Sequence, residues 1–244
     1  RAERNTRVRA RVKAQALREL ISTRERVVVM GHKMTDVDSF GACVGICRAA
    51  KQAGKAAHIV LGEVNSGIRP WISILEADIH DETLFVNHEQ AIEMTNQNTV
   101  VVVVDTNKPS MTECEELLYL TKTIVVFDHH RQGTEKIENA ALSYIEPSAS
   151  SACEMVSEIL QYYDDGIRLK PGEANCIYAG IIVDTNNFVA KTGMRTFEAA
   201  AFLRRNGADM TKVRKAFRND METYKARAEA VRHAETFMDC YAIS

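Results

Sequence analysis

Apolar and polar positions follow two rhythms along this chain, and the rhythm changes near residue 148. Before it, short runs that are apolar but for His58 occupy 27–30, 58–61, 84–86, 100–104 and 124–127; the fourth is five consecutive valines. Runs this short, β-branched and largely apolar, predict strands buried on both faces. Between them, helical spacing predicts helices over 40–53, 70–76, 89–94 and 113–120, the first stopped by Gly54. The alternation predicts an α/β fold with a parallel sheet flanked by helices. Beyond 148 the spacing is helical over 149–163, 172–183, 196–206, 210–218 and 222–238, which predicts a helical C-terminal segment with Gly207 as one of its stops. Ile181, Ile182 and Val183 read equally well as a strand, because periodicity does not decide so short a run. There is no internal repeat.

The first 22 residues differ from the rest. Helical spacing over 6–21 sets Val8, Val12, Ala16, Leu17 and Leu20 against a basic face, and residues 1–26 hold nine Arg or Lys against three Glu. This predicts a basic linker helix over 1–22. With a net charge of −2 for the whole chain, the remainder is the more acidic part, as a site that gathers cations would be. No long nucleic acid is expected as a partner. The 244 residues, 45% hydrophobic, suffice for a substantial core. No apolar run approaches the length of a membrane span, so no membrane contact by this chain is expected. The six cysteines form no CxxC pair, which favours core packing in a reduced, cytoplasmic compartment.

The chemistry gathers where apolar runs end. Gly31 to Asp38 follow the first run and carry His32, Asp36 and Asp38; Asp105-Thr106-Asn107 follow the valines; Asp128-His129-His130-Arg131 follow 124–127; Asp184-Thr185-Asn186-Asn187 follow Val183. In open α/β sheets ligands bind beyond the carboxyl ends of the strands, so the first three clusters should converge there, with the fourth joining from a helix or strand end. Asp105 or Asp184 taken alone reads as readily as a helix N-cap. Taken together, carboxylates and imidazoles without thiolates suit Mn²⁺ or Mg²⁺, with Fe²⁺, Co²⁺ or Zn²⁺ also accommodated. Asp105 has two oxygens with which to bridge a pair of ions, and such a pair serves in-line displacement at phosphorus. His58, His80, His88 and His233 have no such neighbours and read as structural.

Asp128-His129-His130, together with the run from Gly31 to Ala42, Asp105 and Asp184, resembles the signature of the DHH phosphoesterase superfamily, over about residues 23–240. Within it the chain is most similar to bacterial cyclic-di-AMP phosphodiesterases, through the basic run over 7–13, the Asp-His-His-Arg form of the signature and the stretch over 146–154. The resemblance implies a metal-binding phosphoesterase domain over 23–190 and two divalent ions, foremost Mn²⁺. His32, Asp36 and Asp105 would hold one ion; Asp38, Asp105, His129 and Asp184 would hold the other. His130 and Arg131 would face the substrate phosphate, with Asp128 orienting the histidines. The implied substrate is a cyclic dinucleotide, and the implied full-length protein is membrane-anchored, with this part facing the cytoplasm and a homodimer possible.

The family's glycine-rich, nucleotide-binding C-terminal motif has no counterpart among the 12 glycines here. Residues 191–244 are therefore expected to be a helical extension leading toward a C-terminal substrate-binding domain, and this piece to bind metal but cleave cyclic dinucleotide weakly. Three alternatives stand beside cyclic-di-AMP hydrolysis: a short-oligonucleotide hydrolase, a manganese-dependent pyrophosphatase, and an inactive regulatory or nucleotide-binding module.

Overall fold

The computed structural model describes residues 2–233, 235–237 and 241–243. It contains two compact units, residues 1–209 and 210–244.

The first unit is built on six parallel strands: β1 (Arg26–Met30), β2 (Ala56–Val60), β3 (Phe85–Val86), β4 (Thr99–Val104), β5 (Ile124–Asp128) and β6 (Leu142–Ile145). Their order across the sheet is β3-β2-β1-β4-β5-β6, all neighbours parallel. The chain therefore builds outward from β1 to one edge, returns to the middle, and builds outward from β4 to the other. The reversal leaves a crevice beyond the carboxyl ends of β1 and β4, where α/β sheets bind ligands.

The apolar strands divide by period two. Val28, Met30, Val101, Val103 and Val126 face a core shared with Ala91 of α4 (His88–Met94) and with Cys114, Leu117 and Leu118 at and before α5 (Leu117–Leu120). On the flank formed by α2 (Val37–Gln52), α6 (Ala152–Tyr163) and α7 (Pro171–Asp184), all three helices pack on one another, α2 also touches β1 and β4, and α6 touches β5. Glycine permits the closest approach: a Cβ on Gly41 of α2 would lie 2.6 Å from the Cys176 carbonyl oxygen of α7. α3 (Arg69–Asp78) packs on α7, and α8 (Met194–Arg205) on α6 and α7. In α1 (Ala2–Ser22), Ala10, Ala14, Leu17 and Ile21 are fully buried, and the helix packs on α6 while Arg7, Arg9, Arg11 and Arg18 are exposed.

Several elements depart from the sequence pattern. β6 was not expected: Leu142-Ser143-Tyr144-Ile145 alternates buried and half-buried positions, as an edge strand does, and is not an apolar run. Helix α2 begins three residues before the predicted 40, because Asp36 caps it by accepting the Ser39 N–H at 2.9 Å. The predicted 113–120 helix shrinks to α5, since Glu113 is taken up by side-chain bonding described below. Residues 181–183 belong to helix α7, which excludes the strand reading.

In the second unit, the two predicted tail helices are one, α9 (Met210–His233), followed by an antiparallel pair, β7 (Glu235–Phe237) and β8 (Tyr241–Ile243). Residues 235–237 are thus strand where helix was expected; Met238 and Cys240 lie outside the described residues, as does the side chain of His233. Among the described residues no helix is long and apolar enough to cross a membrane.

Candidate metal centre

All four polar clusters meet at one mouth. His32 follows β1, Asp105 follows β4, Asp128 closes β5 with His129 and His130 after it, and Asp184 is the last residue of α7. Asp36 and Asp38 lie at the start of α2, so the first cluster straddles a helix N-terminus. Neither Asp105 nor Asp184 is an N-cap. A cavity of about 530 Å³ is lined by His32, Asp36, Asp105, Asp128, His129, His130, Arg131 and Asp184.

The side chains fall into two groups that share one residue. His32 Nε2 lies 3.5 Å from Asp36 Oδ2 and 3.4 Å from Asp105 Oδ2. His129 Nε2 lies 3.2 Å from the other Asp105 oxygen, 3.5 Å from Asp184 Oδ2 and 3.7 Å from Asp38 Oδ2. Donors about 2.1 Å from a small divalent ion stand about 3.0 Å apart in octahedral and about 3.4 Å apart in tetrahedral coordination. The spacings fit such coordination, and the shared carboxylate turns one oxygen to each group. Asp105 Oδ1 is buried and accepts no hydrogen bond, which fits an atom reserved for a cation.

Local structure aims each donor. Asp105 has φ +61°, left-handed backbone that Asp tolerates better than most residues, and its N–H is held by the Phe127 carbonyl at 2.9 Å. Asp38 is fixed from below: its carboxylate accepts the Ala152 N–H at 2.8 Å and the Cys153 N–H at 2.9 Å, the first turn of α6. Asp184 ends a helix, where the dipole disfavours negative charge unless a cation is near. Thr185 secures that end: its carbonyl accepts the Val189 and Ala190 N–H groups at 2.9 Å, closing a turn in which Asn186, Asn187 and Phe188 all have positive φ.

The charges are crowded. Burial, then the charges of Asp105 and Asp184, pushes Asp38 well above the usual carboxylate range. Burial raises Asp184 to about 6, with His129 opposing and Asp105 reinforcing. Asp105 and Asp36 push the His32 imidazole up to about 10. Carboxylates that repel one another this way are a donor set that divalent cations neutralise, displacing protons as they bind.

His130 lies beside the shared carboxylate, its Nδ1 3.7 Å from Asp105 Oδ1, and with Asp105 and His129 forms a third set of donors close enough to hold an ion. Its Nδ1–H donates to Asp128 Oδ1 at 2.8 Å, and Asp128 raises the imidazole above its ordinary value against the effect of burial. Asp128, fully buried, takes a second bond at its other oxygen from the Asn107 amide at 2.5 Å. Arg131 is exposed on the cavity wall. The His58 Nδ1–H donates to the Thr83 carbonyl oxygen at 2.6 Å, away from the cavity lining.

Two residues that support the site carried no signal of their own in the sequence. Asn107 stood inside a noted cluster, but its grip on Asp128 depends on β4 and β5 being neighbours. Glu113, buried, holds His88 at 2.7 Å, the Gly62 N–H at 3.2 Å and the Thr35 hydroxyl at 3.4 Å, pinning the loop that carries His32 and Asp36. His88, read from the sequence as structural, is tied through Glu113 to this loop.

The chain is 40% identical over 244 residues to the cyclic-di-AMP phosphodiesterase GdpP of Bacillus subtilis, covering 99% of this chain and 37% of that protein. It is 38% identical to the cyclic-di-AMP phosphodiesterase PdeA of Listeria monocytogenes, with the same coverage. The chain thus spans a little over a third of the length of these relatives. Among solved structures, an exopolyphosphatase-related protein from Bacteroides fragilis superposes with a TM-score of 0.74 at 14% identity, covering 93% of this chain and 67% of that one, a likeness of fold. The model of the DHH family, N-terminal domain, matches residues 26–181, well over half of the sequence; it takes in the first three clusters, and the fourth, from Asp184, lies beyond it. This chain belongs to the DHH family.

Proposed function

We propose that the chain is the catalytic part of a two-metal phosphodiesterase that opens cyclic di-AMP to the linear dinucleotide pApA. The observation that carries the reading is the shared carboxylate: Asp105 turns one oxygen to the His32–Asp36 group and the other to the His129–Asp38–Asp184 group. Similarity to two proteins named as cyclic-di-AMP phosphodiesterases supports the choice of substrate. On this reading residues 23–190 carry the chemistry, flanked by 1–22 and 191–244. The thiolate-free donor set favours Mn²⁺. A cytoplasmic setting is supported by five buried cysteines, none in a disulfide.

When bound, the ions supply an activated water and neutralise charge along an in-line displacement. The residues do the rest. Water oxygen bonds to phosphorus, the bond from phosphorus to a ribose 3′-oxygen breaks, and that oxygen takes a proton. Asp128 accepts the His130 Nδ1–H and favours the imidazolium, which leaves the Nε2–H to donate to the departing oxygen or to the phosphate. Arg131 adds a charge-assisted contact to phosphate.

Incubation of the full-length protein with Mn²⁺ and cyclic di-AMP is expected to give pApA in proportion to substrate lost, and excess chelator is expected to stop it. Metal-loaded protein that leaves cyclic di-AMP intact while cleaving pyrophosphate or a linear dinucleotide would overturn the substrate assignment.

A further inference from the structure

The cavity wall carries two side-chain cations, Arg131 and Lys108. Both are exposed, and among the described residues neither forms an ion pair. Arg131 follows His130 directly and so belongs with the groups at the reacting phosphate. Lys108 is on a different loop, three residues beyond Asp105, and the mechanism above leaves it without a task.

That loop is tightly held. The Lys108 N–H donates to Thr106 Oγ1 at 3.3 Å, Pro109 opens a single 3₁₀ turn (Pro109–Met111), and the Asn107 carbonyl accepts the Ile137 N–H at 2.9 Å. Lys108 influences Glu135, whose carboxylate accepts the Ser110 N–H at 2.9 Å; Ser110, with Lys108 adding to it, holds Glu135 below the usual carboxylate range. The base of the lysine is thus fixed relative to the shared carboxylate, while its four-carbon stem and ammonium remain available over the cavity.

Charge arithmetic gives it work to do. The two donor groups contain four carboxylates, Asp36, Asp38, Asp105 and Asp184, so two divalent ions bring the centre to zero. Asp128 is already bonded to Asn107 and His130. Attraction for a substrate with more than one negative phosphate must then come from the remaining wall, and a cyclic dinucleotide keeps its second phosphodiester in the same ring as the one being cut.

We propose that Lys108 binds the second phosphate of a substrate carrying two phosphodiesters, and so selects for dinucleotides over single diesters. The proposal rests on the phosphodiesterase reading above.

The test compares Lys108→Gln and Lys108→Arg in the full-length protein with Mn²⁺, on cyclic di-AMP and on bis(p-nitrophenyl) phosphate, which has one phosphate. Loss of one charge-assisted contact is expected to raise KM for cyclic di-AMP about tenfold in Lys108→Gln, with kcat changed less than about threefold. Lys108→Arg should recover most of the affinity, and KM for the single diester should move less than about twofold in either variant. Equal losses on both substrates, a loss confined to kcat, or no change on either would overturn the proposal. Wild-type protein that cleaves the single diester but not cyclic di-AMP would overturn the parent reading, and this proposal with it; the two failures differ in whether wild type or only the variant misbehaves.

Discussion

Asp105→Asn is expected to remove both divalent ions and the activity together, while leaving the metal-free fold intact. Asn tolerates left-handed backbone at least as well as Asp, so the φ of +61° at this position survives the change. The amide also removes a negative charge from a cluster in which Asp105 raises both Asp38 and Asp184, so the metal-free protein loses repulsion and should melt no lower than wild type. What it loses is an oxygen donor to each ion. The amide keeps one neutral oxygen and puts an NH₂ in place of the other, so affinity at both positions should fall by at least about 100-fold, and turnover by about 1000-fold or more. Thermal melts separate the outcomes. Saturating Mn²⁺ should raise the wild-type midpoint by mass action and leave that of the variant nearly unmoved. A variant that still binds two ions with wild-type affinity would show that Asp105 does not join the two groups.

His130→Ala should do the opposite: keep the metals and lose the rate. Geometry alone leaves room for another assignment, because His130 Nδ1 lies 3.7 Å from Asp105 Oδ1 and the three side chains Asp105, His129 and His130 cluster closely enough to hold an ion. The nitrogen that faces Asp105, however, is the one bonded to Asp128 at 2.8 Å. A nitrogen whose proton is committed to a buried carboxylate has no lone pair to offer a cation. Its partner nitrogen is left for substrate. Truncation to Ala should therefore leave metal stoichiometry unchanged and lower kcat by about 100- to 10000-fold, the range for removing a general acid. Equilibrium dialysis with Mn²⁺ beside the rate measurement decides. Loss of an ion in His130→Ala would move this residue among the ligands.

The chain displays its sheet openly and its site almost as openly, for related reasons. Five of six strands show as largely apolar runs, and the four inner ones do so because strands covered on both faces leave few polar positions to interrupt them. β6 escapes because an edge strand alternates, and Ser143 and Tyr144 in the middle of it break the run. The four clusters were legible because each sits where an apolar element stops, and the topology guarantees that such ends converge. What the order of residues did not disclose is mostly contact between distant segments. Asp38 reads as a loop carboxylate until α6 is seen to present two N–H groups beneath it. Asn107 and Asp128 are 21 positions apart and meet only because β4 and β5 are paired. Glu113 reads as the first turn of a helix, and instead turns inward to bind three partners, in two other loops and at the start of α4. The basic first helix was legible only in part: Leu17 is buried as the spacing implies, but the buried face runs through Ala10, Ala14 and Ile21, and Val8 and Val12 are exposed.

The central claim, two ions joined by one carboxylate, is tested most directly by the anomalous difference map at the manganese edge from crystals grown with Mn²⁺. The geometry predicts two peaks about 3.5–4 Å apart, one beside His32 and Asp36 and the other beside His129, Asp38 and Asp184, with a different oxygen of Asp105 bonded to each. A single peak, or a pair in which Asp105 bonds to only one ion, would contradict it.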